Sequence, residues 1–431
     1  MNREILRLAL PNIIANITVP ILGMTDTAIS GHLSSSLYIG AIAAAAVIFN
    51  FLYWNFSFLR MGTSGFTAQA LGARDLRETT AVLCRSLFTA VSAGAVLIIL
   101  QSLIFEVAFF FLKASAEVKE LAAQYFYVYI WSAPFALAMF AFSGWFIGMQ
   151  NAKAPMAIAI SANLANIAAS LIFVFVFDME IKGIALGSLV AQILSCALAA
   201  LIWLKYYGKL RRYISLGCLK SAQGFKAFFK VNRDIFIRSF GLIMATVFFT
   251  GISARRGDIF LAANSLLMQL FLLFSYIMDG FAFAAEALSG KYYGAKNYLK
   301  LIKIVKRIFL WGFCLSGVFA LLYLGFTDLI LNILTDKTEV IAMAMNYKYW
   351  AVLIPFAGFA AFLWDGVFVG ITAARQMRNS MLFAVGVFFA LYWLLSPALD
   401  NNALWLAFLG YLSIRGLAQF LYFGKIKKRF K

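Results

Sequence analysis

The sequence predicts an all-α integral membrane protein of about twelve transmembrane helices. They form two six-helix bundles related by a pseudo-two-fold axis along the membrane normal. Three observations carry this prediction. The 431 residues are 63% hydrophobic and 13% charged, against roughly 45–50% apolar and 25% charged in a soluble domain. The formal charge of +19, from 37 Lys+Arg and 18 Asp+Glu, is concentrated between apolar runs. That is the pattern of cytoplasmic loops, not of a nucleic-acid surface.

The third observation is an internal repeat. Gly72-Ala73-Arg74-Asp75 recurs as Gly294-Ala295-Lys296-Asn297, an offset of 294 − 72 = 222. Gly144-Trp145-Phe146-Ile147-Gly148 recurs as Gly366-Val367-Phe368-Val369-Gly370 at the same offset, as does Glu117-Val118 as Glu339-Val340. Pro134-Phe135 recurs as Pro355-Phe356, one residue short of it. Each half holds about six spans. Six is even, so both halves enter the membrane from the same side, as in parallel-repeat secondary transporters.

The spans follow in order. The first half gives 5–30, 38–71, 80–112, 121–149, 155–177 and 184–206. The second gives 235–253, 259–288, 301–334, 341–371, 381–396 and 403–423. Each is long enough to cross a bilayer, which takes about 20 mostly apolar residues, and the longer ones tilt or kink. The first is the unusual one. Residues 8–32 carry Pro11, Pro20, Asn12, Asn16 and the acid Asp26. A helix built only to anchor has no use for kinking prolines or for an acid costing roughly 2.5–3.5 kcal/mol near hydrocarbon. It is too long for a secretory signal and has no small-residue cleavage site after it. The resulting expectation is a lobe over 1–207, a basic cytoplasmic linker over 208–231, and a second lobe over 232–431.

Loop charges orient the chain. Arg3, Arg7, Arg74, Arg77, Lys153, the linker, Lys296 to Arg307, Arg375, Arg378 and the tail fall in alternate loops, expected inside with both termini. The opposite loops are acidic or mixed, through Glu117, Asp178, Asp336 and Asp400. The discord is Arg255-Arg256, only partly offset by Asp258.

Polar residues inside spans are the candidate sites. Asp26 is the first candidate for the working residue. The plain alternative is that it marks the membrane surface, since His32 and three serines follow soon after. Asn163 and Asn166 are three apart and share a helix face, where they could surround that acid. Asn50 and Asn55 add to the polar content of this half. Asparagines also glue membrane helices together at about 0.6 kcal/mol each. The second half has Asp279, Glu286 and Asp365 as substrate-facing or polar-lobe candidates. Arg238 and Lys348 could neutralise one of them, and Glu286 could pair with Lys291.

No phosphate-binding Gly-Lys-Ser/Thr loop, serine elbow or Cys/His cluster occurs. An enzyme is not expected, and no cofactor is. Cys84, Cys196, Cys218 and Cys314 have unrelated spacings and read as free. The 45 Phe and 14 Met suit an adaptable greasy cavity, although most face lipid.

Pro20 followed by Gly23-Met24-Thr25-Asp26-Thr27, the Gly72-Ala73-Arg74 turn, and the motif over 144–155 resemble the multidrug and toxic compound extrusion (MATE) family, above all its bacterial DNA-damage-inducible F branch. The resemblance spans essentially the whole chain. It implies two six-helix bundles in a V and cation-coupled efflux of organic, often cationic, compounds across the bacterial inner membrane. It implies that Asp26 binds the coupling proton or, as the alternative, sodium; no other metal is expected. Asn163 and Asn166 match the fifth-helix asparagine motif, and Asp365 a tenth-helix acid. Family members often carry an acid four residues after the second asparagine. Here that position is Ser170, which weakens a two-carboxylate sodium site. The expected partners are a small organic substrate, the coupling ion and the bilayer, with no nucleic acid and a monomeric chain. Two other readings stand beside this one: a lipid or lipid-linked-sugar flippase, favoured by a wide basic cavity, and a non-transporting scaffold, favoured by the lack of any cavity.

Overall fold

The computed structural model describes residues 1–31, 37–112, 114–214 and 222–428. The side chain of Asp26 and several of its neighbours lie outside the described residues, as do His32, Cys218, Lys220 and the end of the tail. The described chain is almost wholly helical. Its helices are α1 (Asn2–Gly31), α2 (Leu37–Asn55), α3 (Ser57–Gly72), α4 (Leu76–Ile99), α5 (Gln101–Leu112), α6 (Ala116–Tyr129), α7 (Ala133–Gly148), α8 (Lys153–Phe175) and α9 (Glu180–Tyr207). They continue with α10 (Ala222–Arg255), α11 (Asp258–Gly294), α12 (Tyr298–Leu334), α13 (Thr338–Asn346), α14 (Lys348–Gly370), α15 (Ala374–Leu399) and α16 (Asn401–Lys428). Among the described residues, 11 helical stretches are long and apolar enough to cross a bilayer. The 30-residue α1 brings the series to the expected twelve.

The chain divides into two compact units, Ile14–Phe229 and Met1–Ile13 with Lys230–Lys431. The boundary near the start of the chain falls within α1, after Ile13, a feature that hydropathy does not mark.

Local chemistry explains the breaks inside spans. α2 stops at Asn55, whose side-chain amide donates to the Phe51 carbonyl at 2.6 Å and competes with the helix ladder. A 3-10 turn over Ile130–Ser132 separates α6 from α7, just before Pro134, which has no N–H to give.

The repeat is written into the backbone. Arg74 and Lys296 are both left-handed, at φ 59° and 54°. Each follows a helix closed by the bonds of a Schellman cap: Asp75 N–H to Ala70 O in one unit, Asn297 N–H to Tyr292 O in the other, both at 2.9 Å. Asp75 and Asn297 then cap the next helix through Glu78 N (2.9 Å) and Lys300 N (3.1 Å). Gln150 and Thr372 (φ 63° and 52°), and Asp178 and Asp400 (φ 50° each), are further left-handed pairs at the 222 offset.

Packing obeys the same register. A Cβ on Gly144 would run into the carbonyl of Arg60 on α3, and one on Gly366 into that of Ala282 on α11. The two carbonyls are again 222 residues apart. Gly148 meets Ser64 and Thr67, while Gly370 meets Glu286 and Ser289. In each unit the helix carrying these two glycines, α7 or α14, therefore lies backbone to backbone on its neighbour, α3 or α11. This is how membrane helices gain close van der Waals contact without a hydrophobic driving force.

Candidate functional site

In the first unit, α1 and α8 carry the candidate residues. Asp26 lies in the last third of α1. Eight residues earlier, the Thr18 carbonyl accepts a hydrogen bond from Asn163 Nδ2 at 3.0 Å, so the first asparagine of α8 ties that helix to α1. Asn166 Nδ2 donates to Ser188 Oγ on α9 at 2.8 Å. Asn166 is buried at 3% exposure, and its Oδ1 meets no hydrogen-bond partner among the described residues. Ser170 Oγ, one helical turn on, is buried and equally unmatched. An orphaned buried polar group costs about 1–3 kcal/mol. Two such oxygens, stacked at i and i+4 on one face, form a pair of hard donors suited to a small cation, a hydronium or water. The serine has a steric reason as well: a Cβ on Gly187 would run into Ser170 Oγ, so α9 crowds this position.

Asn12, Asn50 and Asn55 do not join them. Asn12 Nδ2 bonds the Leu8 carbonyl of its own helix at 2.8 Å and belongs to the second unit. Asn50 is exposed, and Asn55 is spent on α2.

In the second unit, Asp365 on α14 is buried at 5% exposure. Its Oδ2 forms an ion pair with Arg238 Nη2 on α10. Arg415 Nη2 on α16 stands 3.7 Å from the same oxygen, and Oδ1 accepts from Gln419 Nε2 at 2.6 Å. Both carboxylate oxygens are thus engaged. Arg415, buried to 1%, donates from Nη1 to Tyr411 Oη at 3.1 Å and lies over the Phe362 ring at 5.5 Å. Tyr411 in turn donates to Met381 Sδ on α15 at 3.2 Å. One acid therefore ties α10, α14, α16 and, through Tyr411, α15. Asp279 on α11 acts electrostatically on Arg415, which helps balance the second guanidinium.

Of the two bases expected near Asp365, Arg238 is its partner and Lys348 is not: Lys348 opens α14 and lies over the Tyr349 ring at 5.3 Å. Lys291 lies over Tyr292 at 5.8 Å. Glu286 is buried on α11 where Gly370 of α14 makes its close approach. Arg256, the discordant charge, pairs with Asp400, the residue between α15 and α16. Sequence reading missed Arg415 and Gln419. The signal was there: a lone arginine in the middle of the last apolar span, as costly as the acids that were noticed.

The MatE family model matches residues 11–172 and 235–394, one match in each half of the repeat. The chain belongs to the MatE family. It is 37% identical over 419 residues to DNA damage-inducible protein F of Escherichia coli (strain K12), covering 97% of this chain and 91% of that one. It is 23% identical over 270 residues to multidrug export protein MepA of Staphylococcus aureus (strain NCTC 8325 / PS 47), covering 63% and 55%. Its fold superposes on the bent form of the Vibrio cholerae MATE transporter VcmN with a TM-score of 0.89, at 17% identity over 99% of this chain and 97% of that one. This MatE chain is a multi-pass membrane transporter with the twelve-helix, two-bundle MATE fold, and its relatives are transporters.

Proposed function

We propose that the protein is a proton-driven antiporter exporting amphipathic or cationic organic compounds, with Asp26 as the residue that takes up and releases the coupling proton. The observation that carries this reading is the contrast between the units. In the first, Asn166 Oδ1 and Ser170 Oγ are buried and unmatched on a helix that Asn163 ties to α1. In the second, the buried acid Asp365 is already engaged by two arginines and a glutamine. An exchangeable ion needs oxygens that are open in one state and filled in the other. Ser170, in place of a second acid, supports a proton over sodium. A charge moving with the field gains roughly 2.3 kcal/mol per 100 mV, enough to concentrate a substrate severalfold. We place the basic loops, the linker and both termini on the cytoplasmic side of the bacterial inner membrane. Asp365 then serves as an anchor that holds the second unit in register.

The test is substrate uptake into inside-out vesicles under imposed pH or sodium gradients. Uptake driven by a pH gradient alone and absent in Asp26→Asn supports the proposal. Uptake that needs sodium overturns the proton assignment.

A further inference from the structure

We propose that the pocket between the start of α15 and the end of α16 holds the phosphate headgroup of an anionic phospholipid, the acyl chains running down the outer faces of the same two helices. The pocket, of about 260 Å³, is lined by Arg375, Gln376, Asn379, Tyr422, Lys425 and Ile426. Two cations and three polar side chains converge there, with no carboxylate in this lining. The third basic residue nearby, Arg378, is directed elsewhere: Nη1 pairs with buried Asp234 at 2.8 Å. Its Nε and Nη2 both donate to Asn379 Oδ1, at 3.1 and 2.9 Å. That fork turns the oxygen of Asn379 away and leaves its amide N–H groups as the end presented to the pocket. The first turn of α15 adds backbone N–H groups that no side chain caps, and such groups favour an anion.

The repeat supplies an internal control. At the 222 offset, Arg375, Gln376, Asn379, Tyr422 and Lys425 correspond to Lys153, Ala154, Ala157, Ala200 and Trp203 (375 − 153 = 222; 425 − 203 = 222). In the first unit this place is solid: Trp203 is 6% exposed and packs in a core with Ala154, Phe146 and Trp145. The second unit has polar donors in place of the tryptophan and the three alanines. A site on one half of a duplicated scaffold, where the other half has core, is a built feature.

A lipid, not free phosphate, fits what lies next to the pocket. One turn beyond Asn379 on the same face of α15 stands exposed Phe383, with Leu382 beside it. On α16, exposed Leu421 and Leu417 lie one and two turns below Lys425. A polar head site thus opens onto two apolar tracks. Tyr422 sits at their junction, with Lys425 Nζ 5.9 Å from its ring, as amphipathic aromatics do at a membrane interface. Basic pockets between spans recognise anionic headgroups in this way.

The placement rests on the loop orientation proposed above, but its test needs neither export nor sidedness. The full-length protein is incubated in mild detergent with equimolar phosphatidylglycerol and phosphatidylcholine, and retained lipid is read by native mass spectrometry. One phosphatidylglycerol per chain is expected, and the double variant Arg375→Gln/Lys425→Gln should hold it roughly thirtyfold less tightly, at about one decade and a half for two interfacial cations. A second variant, Gln376→Ala/Lys425→Trp, refills the pocket as in the first unit and should abolish retention while leaving thermal stability unchanged. Equal retention of both lipids, or unchanged retention in either variant, overturns the proposal. Displacement of the lipid by excess inorganic phosphate overturns the lipid assignment in favour of a free-anion site.

Discussion

Asp365→Asn is the perturbation that separates the roles of the two units. The change keeps shape and leaves an amide oxygen for Gln419, but removes the carboxylate paired with Arg238. Arg238 and Arg415 are buried at 7% and 1% exposure and cannot turn to water. Breaking a buried ion pair by deleting one partner costs about 3–5 kcal/mol. For a unit of roughly 200 residues each kcal/mol lowers the melting temperature by about 2–4 °C, so the variant should melt roughly 6–20 °C lower in detergent. Asp365→Asn combined with Arg238→Gln removes both members of the pair and should recover most of that loss, since charges in contact are non-additive. Proton-driven uptake in vesicles, measured below the new melting point, should keep its coupling while substrate affinity shifts. A variant as stable as the parent refutes the anchoring argument. Loss of coupling equal to that of Asp26→Asn refutes the division of labour.

Three further outcomes are expected. Asp26→Asn should insert and melt normally yet show no gradient-driven uptake, because an amide cannot exchange a proton; residual coupled uptake would remove Asp26 from the mechanism. Gly144→Ala and Gly366→Ala should each lower stability by about 1–3 kcal/mol through overpacking, because the added Cβ meets the Arg60 and Ala282 carbonyls; Gly251→Ala, where a Cβ meets nothing, should be neutral in the same melting assay. Lys209→Cys, exposed in the 3-10 turn Gly208–Tyr213 after α9, should resist a membrane-impermeant thiol reagent in intact cells and react after permeabilisation; labelling from outside would reverse the proposed topology.

The sequence by itself determined what depends on neighbours along the chain. Apolar runs of bilayer length, with the charges between them, decided that the chain is helical and membrane-embedded. The breaks inside the spans 38–71 and 121–149, after Asn55 and before Pro134, emerged only from the structure, although an asparagine and a proline stand at them. The 222 offset paired Arg74 with Lys296 and Gly144 with Gly366, and the structure gives each pair the same left-handed turn or the same close approach, because a repeated motif brings its own backbone conformation and its own missing Cβ. The tertiary structure alone decided which distant groups meet. Asp365 takes Arg238 from 127 residues away and Gln419 from 54, passing over the equally plausible Lys348. Asn163 reaches a backbone carbonyl 145 residues earlier, and Arg378 is spent on Asp234 144 residues before it. Such pairings depend on which faces of separate helices turn toward each other. Period and composition fix a helix and its polar face, but not the neighbour that face will find. In a membrane interior, where an unpaired charge is costly, that choice of neighbour decides whether a buried acid such as Asp365 is held in a pair.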